Sequence, residues 1–232
     1  MSQLDVWSLI KNGDFQEACD RADLEYSETK SIFPLRNKVY ALFHLEMYSK
    51  ALELLKKIII LENGQADGDY IFSGIAYWLL GKQKDAINIW EEGEKCIYTD
   101  AAGGVELQLF LYFAAVDRKD IILKKKTEKK LKKILKSKTA INYPASLGLF
   151  LLGDLTEAQV FSNVSPVPIL RERQSCQADF TIAIKRLEEG KEQEYKKKLK
   201  DTISHGASSF LSKMYYLAKG EILLGSEMKA GQ

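Results

Sequence analysis

The chain is poor in the residues that build special chemistry. Only four of its 232 residues are proline, three are cysteine and two are histidine. So little proline, with fifteen glycines, argues against a long disordered or low-complexity region. Cys19, Cys96 and Cys176 are odd in number and far apart, with no CxxC spacing. That pattern disfavours a disulfide framework or a zinc site and fits three reduced thiols packed as small apolar groups. The most apolar short run, Ile58 to Leu61, is bounded by Lys57 and Glu62. It falls far short of the ~20 apolar residues of a spanning helix, so no membrane partner is expected. The opening MSQLDVWSLIKNGD has no basic segment followed by an apolar core. No secretory signal is expected, and cytoplasmic residence is the default. No segment alternates clearly with period two, which argues against sheet.

Catalytic and metal-binding patterns are equally sparse. His44 and His205 lie in no HExxH or HxH arrangement. Each reads as a surface or half-buried helix residue. Gly103-Gly104 invites a phosphate-loop reading, but no GK[ST] follows it, and a tight connection needing positive φ explains it. No GxSxG occurs, and the pairs Glu91-Glu92 and Glu188-Glu189 read as solvated helix faces. No enzyme activity, cofactor or metal is expected.

What the chain has is helical periodicity with a repeat. Leu4, Trp7 and Ile10 share one helix face, Asn12-Gly13-Asp14 makes a turn, and Phe15, Ala18 and Ala22 open a second helix. Leu35, Val39 and Leu42, then Tyr48, Ala51, Leu55 and Ile58, repeat the pattern. The run GDYIFSGIAYWLLGKQKDAINIWEEG, residues 68–93, gives a third pair through Gly74, Tyr77, Gly81, Ala86 and Trp90. Small residues there let two helices approach, and aromatic ones fill the space beside them. The elbow alanines Ala18, Ala51 and Ala86 are separated by 33 and 35 residues. The tetratricopeptide (TPR) period is about 34, and the first hundred residues resemble that superfamily. The expected fold is all-α, a single domain over residues 1–232. It is a TPR-like α-solenoid of antiparallel helical hairpins, regular over 1–98 and irregular in the C-terminal half, 99–232.

Beyond Trp90 the pattern degrades. Thr99 or Asp100 is a candidate N-cap for a helix through Leu107, Leu111, Phe113 and Val116. A basic helix follows from about Ile121 to Ser137. Pro144 opens a short helix ended by Gly153, and Thr156 caps the next. Pro166 and Pro168 break the chain. A helix from about Glu172 to Glu189, an elbow at Gly190 and a helix through Tyr195, Leu199 and Ile203 come next. A final helix, about Phe210 to Leu224, is expected to cap the stack. The whole reads as roughly seven irregular hairpins.

Charge is unevenly spread. Residues 1–117 carry 11 basic and 19 acidic side chains, while residues 118–138 carry 11 and 2. In the basic helix Leu123, Thr127, Leu131 and Leu135 form a narrow apolar stripe with lysine elsewhere. The favoured reading is a solubilising surface. The alternative is an anion-binding patch through Lys125, Lys129 and Lys133. Nine lysines and no arginine between residues 124 and 138 speak against shaped phosphate or base recognition. No aromatic residue interleaves to stack bases.

In the TPR register the first helices of the opening hairpins turn Trp7, Arg36, Tyr40, Phe43, Ile75 and Trp78 toward the concave side. Large aromatics there are either a closed core or anchors for a partner. The Lys/Asn clamp with which some TPR domains hold a peptide carboxylate is absent. The segments WEEGEKCIYTDAAGGVE, FLLGDLTEAQV, RERQSCQADFTIAIKRLEEGKEQEY and YYLAKGEILLG are similar to small bacterial TPR proteins. These include candidate immunity proteins of contact-dependent or polymorphic toxin systems. The resemblance implies a cytoplasmic immunity protein that binds and neutralises a cognate toxin domain, often a nuclease with a basic cleft. The net −8 first half would complement such a cleft. The contacts expected come from Trp7, Glu17, Asp20, Arg36, Tyr40, Phe43, Asp69 and Trp78. A TPR adaptor or regulator, or a nucleic-acid-binding protein working through residues 121–138, is the alternative.

Overall fold

The computed structural model describes the backbone of residues 4–230 and the side chains of residues 4–225. Among them the chain is all-helical, with no strand and one isolated bridge between Ala66 and Tyr98. The helices are α1 (Val6–Asn12), α2 (Phe15–Thr29), α3 (Phe33–His44), α4 (Tyr48–Leu61), α5 (Asp67–Leu79), α6 (Gln83–Gly93) and α7 (Val105–Asp117). Then follow α8 (Ile121–Ile134), α9 (Ala145–Leu152), α10 (Glu157–Ser162), α11 (Pro168–Glu188), α12 (Glu192–Ile203) and α13 (Lys213–Ala230). Short 3-10 turns at Lys138–Ile141 and Ala207–Leu211 complete the path.

The helix ends follow local chemistry. The Asp5 carboxylate accepts the Ser8 N–H at 2.6 Å, so α1 starts at Val6, two residues beyond exposed Leu4. Thr156 and Gln159 form a reciprocal capping box on α10. Asp100 reaches forward to accept the N–H groups of Ala102 and Glu106, closing the loop before α7. In that loop Gly103 and Gly104 take φ of 90° and 97°, so they supply a left-handed connection. Pro168 does not break the chain. It is the first residue of α11, where its missing N–H has no partner to lose, so the helix starts four residues before Glu172. The basic helix α8 ends at Ile134, three residues before Ser137.

Neighbouring helices pack as pairs, and small residues set their spacing. Ala18, Ala51 and Ala86 are fully buried at the elbows. A Cβ placed on Gly74 would lie 2.0 Å from Nε1 of Trp90, so α5 and α6 approach as closely as they do only because residue 74 is glycine. The Trp90 indole then donates to the Ile71 carbonyl at 3.1 Å, satisfying its one polar atom.

Helices α1 and α3, and then α5, α7 and α9, touch in one layer, with the even-numbered helices flanking it. The second half returns to this layer, α13 packing on α5 and α11 on α7. Two aromatic clusters form there. Tyr216 of α13 sits 5.3 Å from Phe43 and 5.8 Å from Phe72. Trp78 lies 5.9 Å from Trp90 and 5.1 Å from Phe113, and Phe113 lies 5.7 Å from Phe180 of α11. The last helix therefore starts at Lys213, with Phe210 in the preceding 3-10 turn, and it does more than close an end. It covers the face that α3 and α5 would otherwise present, because that face is too apolar to leave in water.

Candidate interaction surfaces

The residues expected to face a partner separate into two groups. Phe43 is 1% exposed, Trp78 2% and Asp69 5%. Trp7, Arg36 and Tyr40 are half-buried, with Trp7 edge-on to Tyr40 at 6.2 Å. The indole of Trp78 donates to Oε1 of Glu221 on α13 at 2.9 Å. Phe43 and Trp78 belong to the closed core, and a partner could reach them only by displacing α13. Glu17 and Asp20 are exposed on α2.

Arg36 and Asp69 form a structural pair. The guanidinium donates to both carboxylate oxygens of Asp69, at 3.1 and 2.7 Å, and to Glu62 at 3.4 Å. The bond to Asp69 outweighs burial and raises the Arg36 pKa. Nearby, Lys213 donates to Glu106 at 2.7 Å, and Gln177 donates to the other Glu106 oxygen at 3.2 Å. Burial alone would lower the Lys213 pKa, but the Glu106 carboxylate raises it. These groups border a pocket of about 160 Å³ among Arg36, Tyr40, Gly68, Asp69, Phe72 and Lys213. It is smaller than ordinary small-molecule sites, and its charges already satisfy one another. At the start of α5, Asp67 is buried, and its Oδ2 has no hydrogen-bond partner among the described residues. Burial pushes its carboxyl up to about 7, so a retained proton removes the charge that would otherwise be stranded there.

The remaining chemical candidates are structural. His44 stacks on Phe15 at 4.2 Å and meets Phe210 edge-on, and burial pushes its imidazole down to about 4. His205 meets Asp179 at 2.8 Å, and Lys198 donates to the same carboxylate at 2.7 Å. Burial raises the Asp179 pKa, but those two bonds outweigh it and hold it low. Cys19 and Cys176 are buried free thiols, and half-buried Cys96 donates to the Gly64 carbonyl. Among the described residues no group of three or more His, Cys, Asp or Glu is placed to hold a metal ion. Glu188 departs from the solvated reading. It accepts from Tyr112 and Lys185 and pairs with Lys124.

Two exposed ridges remain. On α2, Glu17, Asp20, Leu24 and Glu28 recur at intervals of three and four residues and share one face. All four are exposed, Leu24 at 44%, which makes an acidic ridge with an apolar centre. Sequence reading missed Leu24 and Glu28, although their spacing from Asp20 was visible.

On α8 the apolar stripe is buried through Leu123, Thr127 and Leu131, with Ile134 and Leu135 partly covered. The flanking lysines are neutralised. Lys126 pairs with Glu91 at 2.6 Å, Lys130 with Glu94 at 3.9 Å, and Lys124 with Glu188 and Glu128. Lys125, Lys129, Lys132, Lys133 and Lys136 are exposed, and none has an ion pair among the described residues.

No protein-family model and no curated protein matches the sequence. Among the described residues no helix is long and apolar enough to cross a membrane.

Proposed function

We propose that the chain is a TPR-like scaffold that binds another protein, and that it acts in the cytoplasm as an immunity protein neutralising a cognate bacterial toxin domain. The scaffold reading is supported by elbow alanines 33 and 35 residues apart, each fully buried where paired helices meet. The partner-binding reading rests on one observation, the exposed acidic ridge of Glu17, Asp20, Leu24 and Glu28 on α2. A carboxylate rim around an exposed leucine suits a basic protein surface with an apolar contact at its centre, and complementary charge speeds such an encounter. The ridge takes over the role that the sequence assigned to Phe43, Trp78 and Asp69, which are in the core.

The test is co-expression with the product of the adjacent gene, followed by pull-down and calorimetry of the purified pair. A stable complex is expected, and the Glu17→Lys/Asp20→Lys variant should weaken it at least about tenfold, mostly through slower association. Both residues are exposed, so the variant should keep the wild-type helical circular dichroism. If no neighbouring product binds, the immunity role is wrong. If a product binds and the variant binds equally well, the α2 ridge is not the contact.

A further inference from the structure

We infer that the outer ridge of α8 docks the protein on an anionic phospholipid surface. The lysine ridge stands at a cost to the helix that carries it. Lys125, Lys129 and Lys133 are spaced by four residues, and Lys129 and Lys132 by three, so like charges face each other along its length. Lys124 also lies in the first turn, where the helix dipole is positive and disfavours it. The fold relieves this repulsion only on the flanks, where Glu91 of α6, Glu94 just past it and Glu188 of α11 meet Lys126, Lys130 and Lys124. On the ridge the four ammonium groups of Lys125, Lys129, Lys132 and Lys133 are left over a length of about 12 Å, at 1.5 Å rise per residue, with Lys136 exposed just beyond the helix end. A dense negative surface would complement them.

An apolar residue on the same ridge selects lipid among polyanions. Ile122 is 83% exposed. It precedes Lys129 and Lys133 by 7 and 11 residues, which in a helix places all three on one face. Ile121 beside it is also exposed, as is Ile141 at the end of the 3-10 turn that follows α8. Isoleucine gains nothing from a phosphate backbone, but it gains by entering the acyl boundary beneath phospholipid headgroups. Lysine without arginine, and no interleaved aromatic, suits the diffuse charge of a headgroup layer better than a shaped phosphate or a stacked base. The expectation of no membrane contact rested on the lack of a spanning run, and peripheral docking needs none. The ridge lies on α8 and the proposed protein contact on α2, so each can fail alone.

The experiment is co-sedimentation of the full chain with vesicles of phosphatidylglycerol and phosphatidylcholine in equal parts, and with pure phosphatidylcholine. Binding is expected to the mixed vesicles only and should fall as salt rises. Each ridge lysine lost is expected to cost about fivefold, so the Lys125→Ala/Lys129→Ala/Lys133→Ala variant should lose about a hundredfold. Ile122→Asn should weaken vesicle binding severalfold and keep its salt dependence. Binding of equal strength to both vesicle types, or none to the mixed vesicles at low salt, overturns the proposal. It is also overturned if duplex DNA or RNA competes the vesicles off while Ile122→Asn leaves vesicle binding unchanged, since the ridge would then be a general polyanion surface.

Discussion

Replacing Glu221 by glutamine tests how α13 is held against the rest of the fold. Glu221 accepts from the Trp78 indole at 2.9 Å and from the Tyr195 hydroxyl at 3.2 Å, joining α13 to α5 and α12. Burial pushes its carboxyl from an ordinary 4.5 up to about 7, and nearby Asp117 adds to the effect. The folded chain thus keeps a proton between pH 4.5 and 7 that the unfolded chain releases. With more protons bound in the native state, stability falls as pH rises through that window and levels off above it. A difference of this size is worth about 3 kcal/mol if the site were fully enclosed. Allowing for partial exposure of the side chain, about 2 kcal/mol is the working figure. Glutamine accepts the Trp78 N–H through its carbonyl and donates to the Tyr195 oxygen, so both bonds survive without the charge. Urea unfolding at pH 5 and pH 8 should therefore show E221Q close to wild type at the lower pH. At the higher pH it should be more stable by about 2 kcal/mol, or roughly 4–8 °C in Tm. If the difference between E221Q and wild type is the same at both pH values, Glu221 is not a strained acid. If E221Q is less stable at both, the charge itself holds α13 in place.

Three further substitutions probe the packing. Gly74→Ala drives a methyl into the Trp90 ring and should cost about 2 kcal/mol or more, read by urea unfolding at fixed pH; an unchanged midpoint would mean that α5 and α6 are not in close contact. Arg36→Ala strands the buried Asp69 carboxylate and should cost about 3 kcal/mol at pH 7, recovered in part by adding Asp69→Asn. His44 works against Glu221 over an overlapping window: its own contribution to stability should decline from pH 6.5 toward pH 4, because the unfolded chain takes up a proton that His44, held near 4, refuses. His44→Phe keeps the ring on Phe15 and should remove about 2 kcal/mol of that decline, so parallel pH profiles for the two proteins would refute it.

Much of the secondary structure was readable from local pattern. The elbows, the Thr156 cap, the Gly153 and Gly190 ends and the buried stripe of α8 all follow from residues close in sequence. The start of α11 was misjudged because proline is compatible both with a break and with a first helical turn, and flanking residues do not distinguish them. Of the acidic ridge, Glu17 and Asp20 were visible as charges, while Leu24 was hidden because an exposed leucine has the same letter as a buried one.

Sequence by itself determined that the chain is helical, where its opening hairpins turn, and which faces are apolar, since each of these depends on residues a few positions apart. Only the tertiary structure decided what covers those faces. Trp78 meets Glu221 across 143 residues of chain, and Phe43 meets Tyr216 in the same way. An aromatic stripe states that it must leave water, but it does not name the helix that will cover it. Here α13 covers it, while the charged ridges of α2 and α8 stay exposed.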